Sequence, residues 1–305
     1  MNKFNVDICI ITYQRAELLK RTLLSILEPN QLVLHNAGII VVDNDIARSA
    51  KPIVESIKKN YPGLISYHTE KKKGYASARN KCIKVSKANT IVFIDDDEWV
   101  TKNWLDSLLK AQENYDAAIV IGPVLSSLPE NTPKWIRQGN FFSRERHPTG
   151  HKIKHGGSGN ALLNKNKIPH EALKFDLRYE SSGGEDHELF SRLYNSGHMI
   201  VWADEAVVYE EILDEKIHPK WLIRRAFQVG KSVTQVHLTG KGIFEKIIWY
   251  AKKLALLLLS TLLTPLSFLQ GYGHGFRMLS RAVSNAGGLS TIGSRWKYFS
   301  RPPKY

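Results

Sequence analysis

Asp95, Asp96, Asp97 and Glu98 stand in consecutive positions directly after the apolar run Ile91-Val92-Phe93-Ile94. Four adjacent carboxylates repel one another unless positive charge sits among them. Hard oxygen ligands suit Mg2+ or Mn2+, and Mg2+ commonly shares its shell with substrate phosphates. A divalent cation holding a phosphorylated substrate is therefore one chemistry this run can do. An acidic turn accounts for the same residues equally well, as does an N-cap by Asp97 or Glu98 on a helix starting near Thr101. A second acidic centre is Gly183-Gly184-Glu185-Asp186-His187-Glu188-Leu189-Phe190. It opens a helix whose dipole eases the charge on Glu185 and Asp186. Its glycines let a ligand approach closely, although an acidic helix start is also a common structural feature.

The surrounding pattern says what positions these groups. Val6–Thr12 is a strand, and Ala16–Leu27 carries Leu18, Leu19, Leu23, Leu24 and Leu27 at helical spacing, with Pro29 just beyond. A strand over 38–42 runs into Asp43-Asn44-Asp45. A helix over 52–60, a strand over 65–68, a helix over Tyr75–Val85 and a strand over 91–94 follow. Strands alternating with helices predict a mostly parallel α/β sheet with helices on both faces and right-handed crossovers. Three of these strands end in polar residues, at Thr12-Tyr13, Asp43-Asn44-Asp45 and Asp95-Asp96-Asp97. If they are parallel neighbours, the three clusters meet at one sheet edge, where open α/β sheets bind ligands. No Gly-x-Gly-x-x-Gly and no P-loop is present to explain that edge otherwise.

Four ordered motifs carry a resemblance: Ile10-Ile11-Thr12-Tyr13-Gln14-Arg15, Val41-Val42-Asp43-Asn44, Gly74-Tyr75-Ala76-Ser77-Ala78-Arg79-Asn80 and Phe93-Ile94-Asp95-Asp96-Asp97-Glu98. In order and spacing the chain resembles family 2 glycosyltransferases over roughly residues 7–231. Its nearest likeness is to the bacterial branch of succinoglycan-type glucosyltransferases of exopolysaccharide synthesis. The resemblance implies the GT-A fold, a Rossmann-like mixed sheet flanked by helices, and a nucleotide-sugar donor, with UDP expected. It implies nucleotide contacts from Thr12, Tyr13, Arg15, Asp43, Arg79, Asp95 and Asp96, with Asp96 a bystander in the other reading. It places a Mn2+ or Mg2+ cofactor on Asp97 with Asp95. It makes Asp186 the general base, with Glu185 as the alternative or as an acceptor contact. The residues themselves leave choices open. Tyr13 offers a face for a nucleobase or is a packing tyrosine. Asp43 accepts from a base N–H or closes an Asx turn. Arg79 pairs with a diphosphate or makes a salt bridge to the acidic cluster. The small residues Gly156-Gly157-Ser158-Gly159 are expected beside the sugar. The Gln-x-x-Arg-Trp motif of processive synthases is absent, which implies addition of a single sugar.

Of the 305 residues, 43% are apolar, enough for a substantial core. Cys9 and Cys82 read as reduced core thiols. Residues 1–7 hold no apolar run, and no signal peptide is expected. His147, His151, His155 and His170 match no zinc spacing. The formal net charge of +14 is uneven. Residues 216–305 hold 15 Lys and Arg against one acid, Glu245, and residues 1–215 balance 28 against 28. The reading is thus a catalytic region 1–215 and a basic helical region 216–305. The basic region holds an apolar segment over 254–276, flanked by Lys252-Lys253 and Trp249-Tyr250. That points to an anionic membrane surface met as a peripheral or monotopic contact. With the family resemblance, the expected side is the cytoplasmic one and the expected acceptor a glycan or a lipid-linked sugar. A nucleic-acid partner has no module signature to support it. The segment 128–151, irregular in pattern, reads as a mobile loop over the site. The competing functions are a sugar-phosphate nucleotidylyltransferase and a basic binding protein without catalysis.

Overall fold

The structure, a computed structural model, describes residues 5–28, 31–180 and 183–293. The elements are β1 (Val6–Thr12), α1 (Ala16–Leu27), α2 (Gln31–Leu34), β2 (Ala37–Asp43), α3 (Lys51–Asn60), β3 (Ile65–Thr69), α4 (Tyr75–Val85), β4 (Thr90–Asp95), β5 (Glu98–Val100) and α5 (Trp104–Asn114). They continue as β6 (Ile119–Ile121), β7 (Val124–Ser127), α6 (Lys134–Gly139), β8 (Asn160–Asn164), α7 (Glu185–Asn195), β9 (Ile200–Trp202), β10 (Val208–Glu211), α8 (Pro219–Leu238), α9 (Ile243–Leu269) and α10 (Tyr272–Leu289).

The described residues of 1–125 and 144–211 make one compact unit. Its main sheet runs β3-β2-β1-β4-β8-β6-β9. The central strands are buried on both faces, as their nearly unbroken apolar sequences require. Ile8 and Ile10 of β1 join one core cluster with Leu19, Leu23 and Ile26 of α1. Cys9 between them joins the other, with Ala78 and Cys82 of α4 and Leu189 and Phe190 of α7. β1 is parallel to β2 and β4, and β8 is antiparallel to β4. The register sets Thr12 beside Asp43, Ile11 beside Asp95 and Ile94 beside Asn160. The three polar strand ends therefore meet at one edge, as the sequence predicts. β5 pairs antiparallel with β10.

The described residues of 126–143 and 212–305 make the second unit. Its core holds Ile136, Ile212, Ile217, Leu222 and Phe276.

Two expectations are corrected. No helix starts near Thr101: Glu98-Trp99-Val100 forms β5 and α5 begins at Trp104. Asp97 and Glu98 therefore cap no helix. Residues 128–151 are not one irregular loop, since they include α6, and the chain passes at 143–144 from the second unit back to the first. The apolar segment 254–276, which Gln270 and its three glycines are expected to interrupt, is indeed divided. Gly271, at φ 128°, breaks it into α9 and α10.

Candidate active site

Arg79 joins the two acidic centres. α4 buries it, and its Nη2 donates to Asp95 Oδ1 at 2.9 Å while Nη1 donates to Glu185 Oε1. Burial works against a charged guanidinium, but Asp95, Glu185 and Asp186 outweigh it and hold Arg79 above its ordinary pKa. Asp95, from β4, and Glu185, from the first turn of α7, lie far apart in sequence yet share one cation. Burial pushes Glu185 up to about 7, Arg79 opposes that rise, and Asp186 adds to it. Asp186 stands differently. It is half-buried, and its Oδ1 accepts the backbone N–H of His187 at 2.7 Å. Its Oδ2 points at the glycine-rich loop, where a Cβ on Gly157 would lie 3.5 Å away.

That same loop borders the first centre. A Cβ at Gly159 would come within 2.6 Å of Glu98 Oε1 and 3.3 Å of Asp95 Oδ2. Only a glycine lets the chain run this close to both carboxylates.

Within the acid run Asp96, Asp97 and Glu98 are buried and Asp95 is partly open. Asp96 is buried and spoken for: Thr12 Oγ1 donates to its Oδ2 at 2.6 Å and Arg15 Nη1 lies 3.3 Å from its Oδ1. Burial raises it to about 7, against the pull of Arg15. Arg15 also reaches Asp97 Oδ2 at 3.3 Å. Glu98 turns inward, 1% exposed, and its Oε2 accepts the backbone N–H of Asp95 at 2.9 Å. Burial, followed by repulsion from Asp95, holds Glu98 well above the carboxylate range. Asp95 keeps more exposure than its neighbours, with 38% of its side chain open.

Among the described residues no group of three His, Cys, Asp or Glu side chains converges as a metal cage. One or two carboxylates with room for phosphate oxygens is the donor set of Mg2+ or Mn2+, so Asp95 and Asp97 fit such an ion and not a structural zinc.

Asp43 is the residue whose placement differs most from a nucleobase contact. It is fully buried. Its Oδ1 accepts Asp45 N–H at 3.0 Å, and its Oδ2 accepts Ala50 N–H at 3.0 Å and the Tyr67 hydroxyl at 2.7 Å. It closes the strand with an Asx turn and ties down the loop to α3. Asp43→Ala would strand three buried donors and is expected to destabilise the protein by about 3 kcal/mol. Urea unfolding should then show a lower midpoint at unchanged slope. Tyr13 is half-buried, and Lys73 Nζ sits 4.0 Å over its ring.

Three supports escape the sequence reading. Asn44 Nδ2 donates to the carbonyls of Glu70 and Lys72, and its Oδ1 accepts Gly74 N–H, which fixes the approach to α4. Glu180 accepts Ser77 N–H at 3.0 Å, near the positive end of the α4 dipole. Thr22, on the buried face of α1, places its hydroxyl 2.6 Å from the Glu98 carbonyl and 3.0 Å from that of Asp96. Thr22 alone carried a signal, as a polar residue among Leu19, Leu23 and Ile26.

Comparison with known proteins agrees with this architecture. Glycosyl transferase family 2 matches residues 7–170. Succinoglycan biosynthesis protein ExoM of Rhizobium meliloti (strain 1021) is 33% identical over 228 residues, covering 75% of this chain and 74% of that protein. Among solved structures, mannosyltransferase PcManGT from Pyrobaculum calidifontis, in complex with GDP-Man and Mn2+, is similar with a TM-score of 0.68 at 15% identity over 96% of this chain and 88% of that one. GalNAc-T7 with UDP, GalNAc and Mn2+ gives a TM-score of 0.57 at 15% identity, covering 75% of this chain and 48% of that one. The fold is GT-A.

Proposed function

This chain belongs to glycosyltransferase family 2, and we propose that it is an inverting, metal-dependent transferase. It moves one sugar from a UDP-sugar to a hydroxyl of a glycan or lipid-linked acceptor in cell-surface polysaccharide synthesis. It works at the cytoplasmic face of the membrane.

The observation that carries the reading is the division of labour within the Glu185-Asp186 pair. Glu185 is sealed against Arg79, whereas Asp186 keeps one oxygen directed at the glycine-rich loop. Asp186 is thus the group able to take a proton from an acceptor hydroxyl as that oxygen attacks the anomeric carbon. The bond from the anomeric carbon to the donor diphosphate breaks on the opposite side, and one displacement inverts the configuration. Arg79, held charged between Asp95 and Glu185, positions Asp95 and lends its field to the departing diphosphate. Thr12 and Arg15 hold Asp96, and with it the run that carries Asp97. Tyr13 supplies a ring on which the nucleobase stacks. Asp95 and Asp97 would hold Mn2+ or Mg2+. When bound, that cation neutralises charge on the leaving diphosphate. Solved relatives that carry Mn2+ with a nucleotide or nucleotide sugar support this assignment.

A nucleotidylyltransferase would need a Gly-rich basic loop directly after β1, and Thr12-Tyr13-Gln14-Arg15 is not one. The test is hydrolysis of a panel of nucleotide sugars by the purified protein, with Mn2+ and with EDTA. Slow release of one nucleotide from one donor, abolished by EDTA, is expected. No release, together with no nucleotide binding in the presence of Mn2+ by calorimetry, would overturn the reading in favour of a binding protein.

A further inference from the structure

We propose that α9 and α10 form a hairpin that lies in the plane of an anionic phospholipid bilayer. It sinks the leucines of α9 into one leaflet and keeps Arg277 and Arg281 at headgroup level. The proposal rests on the membrane placement above and adds how the chain meets the lipid.

α9 is built inside out. Among its described residues Ser260 alone is buried. Its half-buried residues include Thr264 and Ser267 together with Leu257, Leu263 and Phe268, and the hydroxyls of Ser260, Thr264 and Ser267 donate back to the carbonyls of Leu256, Ser260 and Leu263 in the same helix. The outward surface carries Leu254, Leu258, Leu262, Leu266 and Leu269, with Leu262 73% and Leu269 85% exposed. A helix on a water-soluble protein has the opposite arrangement, apolar inward and polar outward. Small residues at helix contacts and apolar residues outward is the arrangement of helices in lipid. The α8–α10 contact follows the same rule: a Cβ at Gly230 would overlap the Ser284 carbonyl, and one at Gly287 would overlap that of Phe227.

By length and composition α9 could cross a membrane. Its 27 residues extend about 40 Å. The partner helix argues against crossing. At one end of the hairpin Phe268 lies against Gly275. At the other, Lys253 Nζ reaches Asn285 Oδ1 at 3.5 Å and Tyr250 meets Thr291 at 3.0 Å. Arg277 and Arg281, both exposed, lie between those two levels, alongside the apolar stretch of α9. In a spanning hairpin they would sit in hydrocarbon, a costly place for arginine. In a flat one they sit beside the leucines at phosphate depth. Trp249 and Tyr250 mark the same boundary.

The alternative cover is a second copy of the chain. Arg224, Arg225, Lys241, Lys252, Arg277 and Arg281 are exposed on this unit, and Glu245 is the sole acid from 216 to 305. A second copy would bring like charges together, whereas anionic headgroups complement them.

The full chain is floated with vesicles of phosphatidylcholine, with and without phosphatidylglycerol. Binding is expected to rise about tenfold with the anionic lipid. Nitroxides are then placed at Leu262→Cys and Arg277→Cys, positions exposed enough to tolerate the change, while Cys9 and Cys82 are buried from the label. Power-saturation resonance on vesicles should find the Leu262 label open to oxygen and shielded from a water-soluble nickel chelate, and the Arg277 label open to nickel. Both labels at bilayer depth would overturn the flat hairpin and leave membrane attachment standing. A Leu262 label shielded from both reagents would assign the face to protein and overturn the proposal. Equal binding to both vesicles would remove the headgroup role of the arginines. No flotation with either would overturn the membrane placement itself.

Discussion

Asp186→Asn is expected to lower transfer about a thousandfold while leaving binding of the donor with Mn2+ nearly unchanged. Removing a general base raises the barrier by about 4 kcal/mol. The amide keeps the size of the side chain, and its oxygen can still accept the His187 N–H that fixes Asp186 Oδ1 at 2.7 Å. The lost function is therefore confined to the oxygen directed at Gly157. Glu185→Gln should behave differently. It removes one of the two negative charges that hold Arg79, leaving only Asp95 as a charged partner in direct contact. The expected signature is weaker donor binding and a shifted pH profile, since the carboxyl removed is one that burial holds up at about 7. A KM-against-kcat comparison of the two variants decides the assignment. If Glu185→Gln lost the chemical step and Asp186→Asn kept it, the roles would be exchanged.

The sequence carried the frame of this site well and its interior poorly. The ranges of β1, α1 and α4 follow from local apolar spacing, and the convergence of Thr12, Asp43 and Asp95 follows from strand order. Local pattern decides such features because β1, β2 and β4 are buried on both faces and read as nearly continuous apolar runs. What the sequence left open depended on partners distant in sequence. Nothing near Asp43 announces that Tyr67, on the neighbouring strand, will take one of its oxygens. Nothing near Glu98 says that its carboxylate will turn back to the N–H of Asp95 instead of facing a ligand. Glu-Trp-Val has the aromatic and β-branched character of a strand, and β10 supplied the partner that made it one instead of a helix start. The apolar tail shows the same limit. Its composition was plain, but whether its leucines face protein or solvent was set by the break at Gly271 and the return of α10 along α9.

Asp97→Asn is the second large effect, and it tests the metal assignment without disturbing the fold. Asp97 is almost closed to solvent, its backbone carbonyl accepts Arg21 Nη2 at 3.4 Å, and its Oδ2 faces Arg15 at 3.3 Å. An asparagine fits the same space and retains an acceptor for Arg15, so the melting temperature should move by only a few degrees. The negative charge that would hold a divalent cation is gone. Calorimetry should find Mn2+-dependent nucleotide binding weakened by about a hundredfold or more, a loss of roughly 3 kcal/mol, and transfer should fall at least as far. Asp96→Asn supplies the contrast. Its carboxylate is consumed by Thr12 and Arg15, so its removal should alter stability more than metal binding. Flotation on vesicles should be unchanged in both, because neither residue belongs to the unit of 126–143 and 212–305. Wild-type Mn2+ affinity in Asp97→Asn, with the loss appearing in Asp96→Asn instead, would move the cation to the other carboxylate. Wild-type affinity in both would remove the acid run from the metal site altogether.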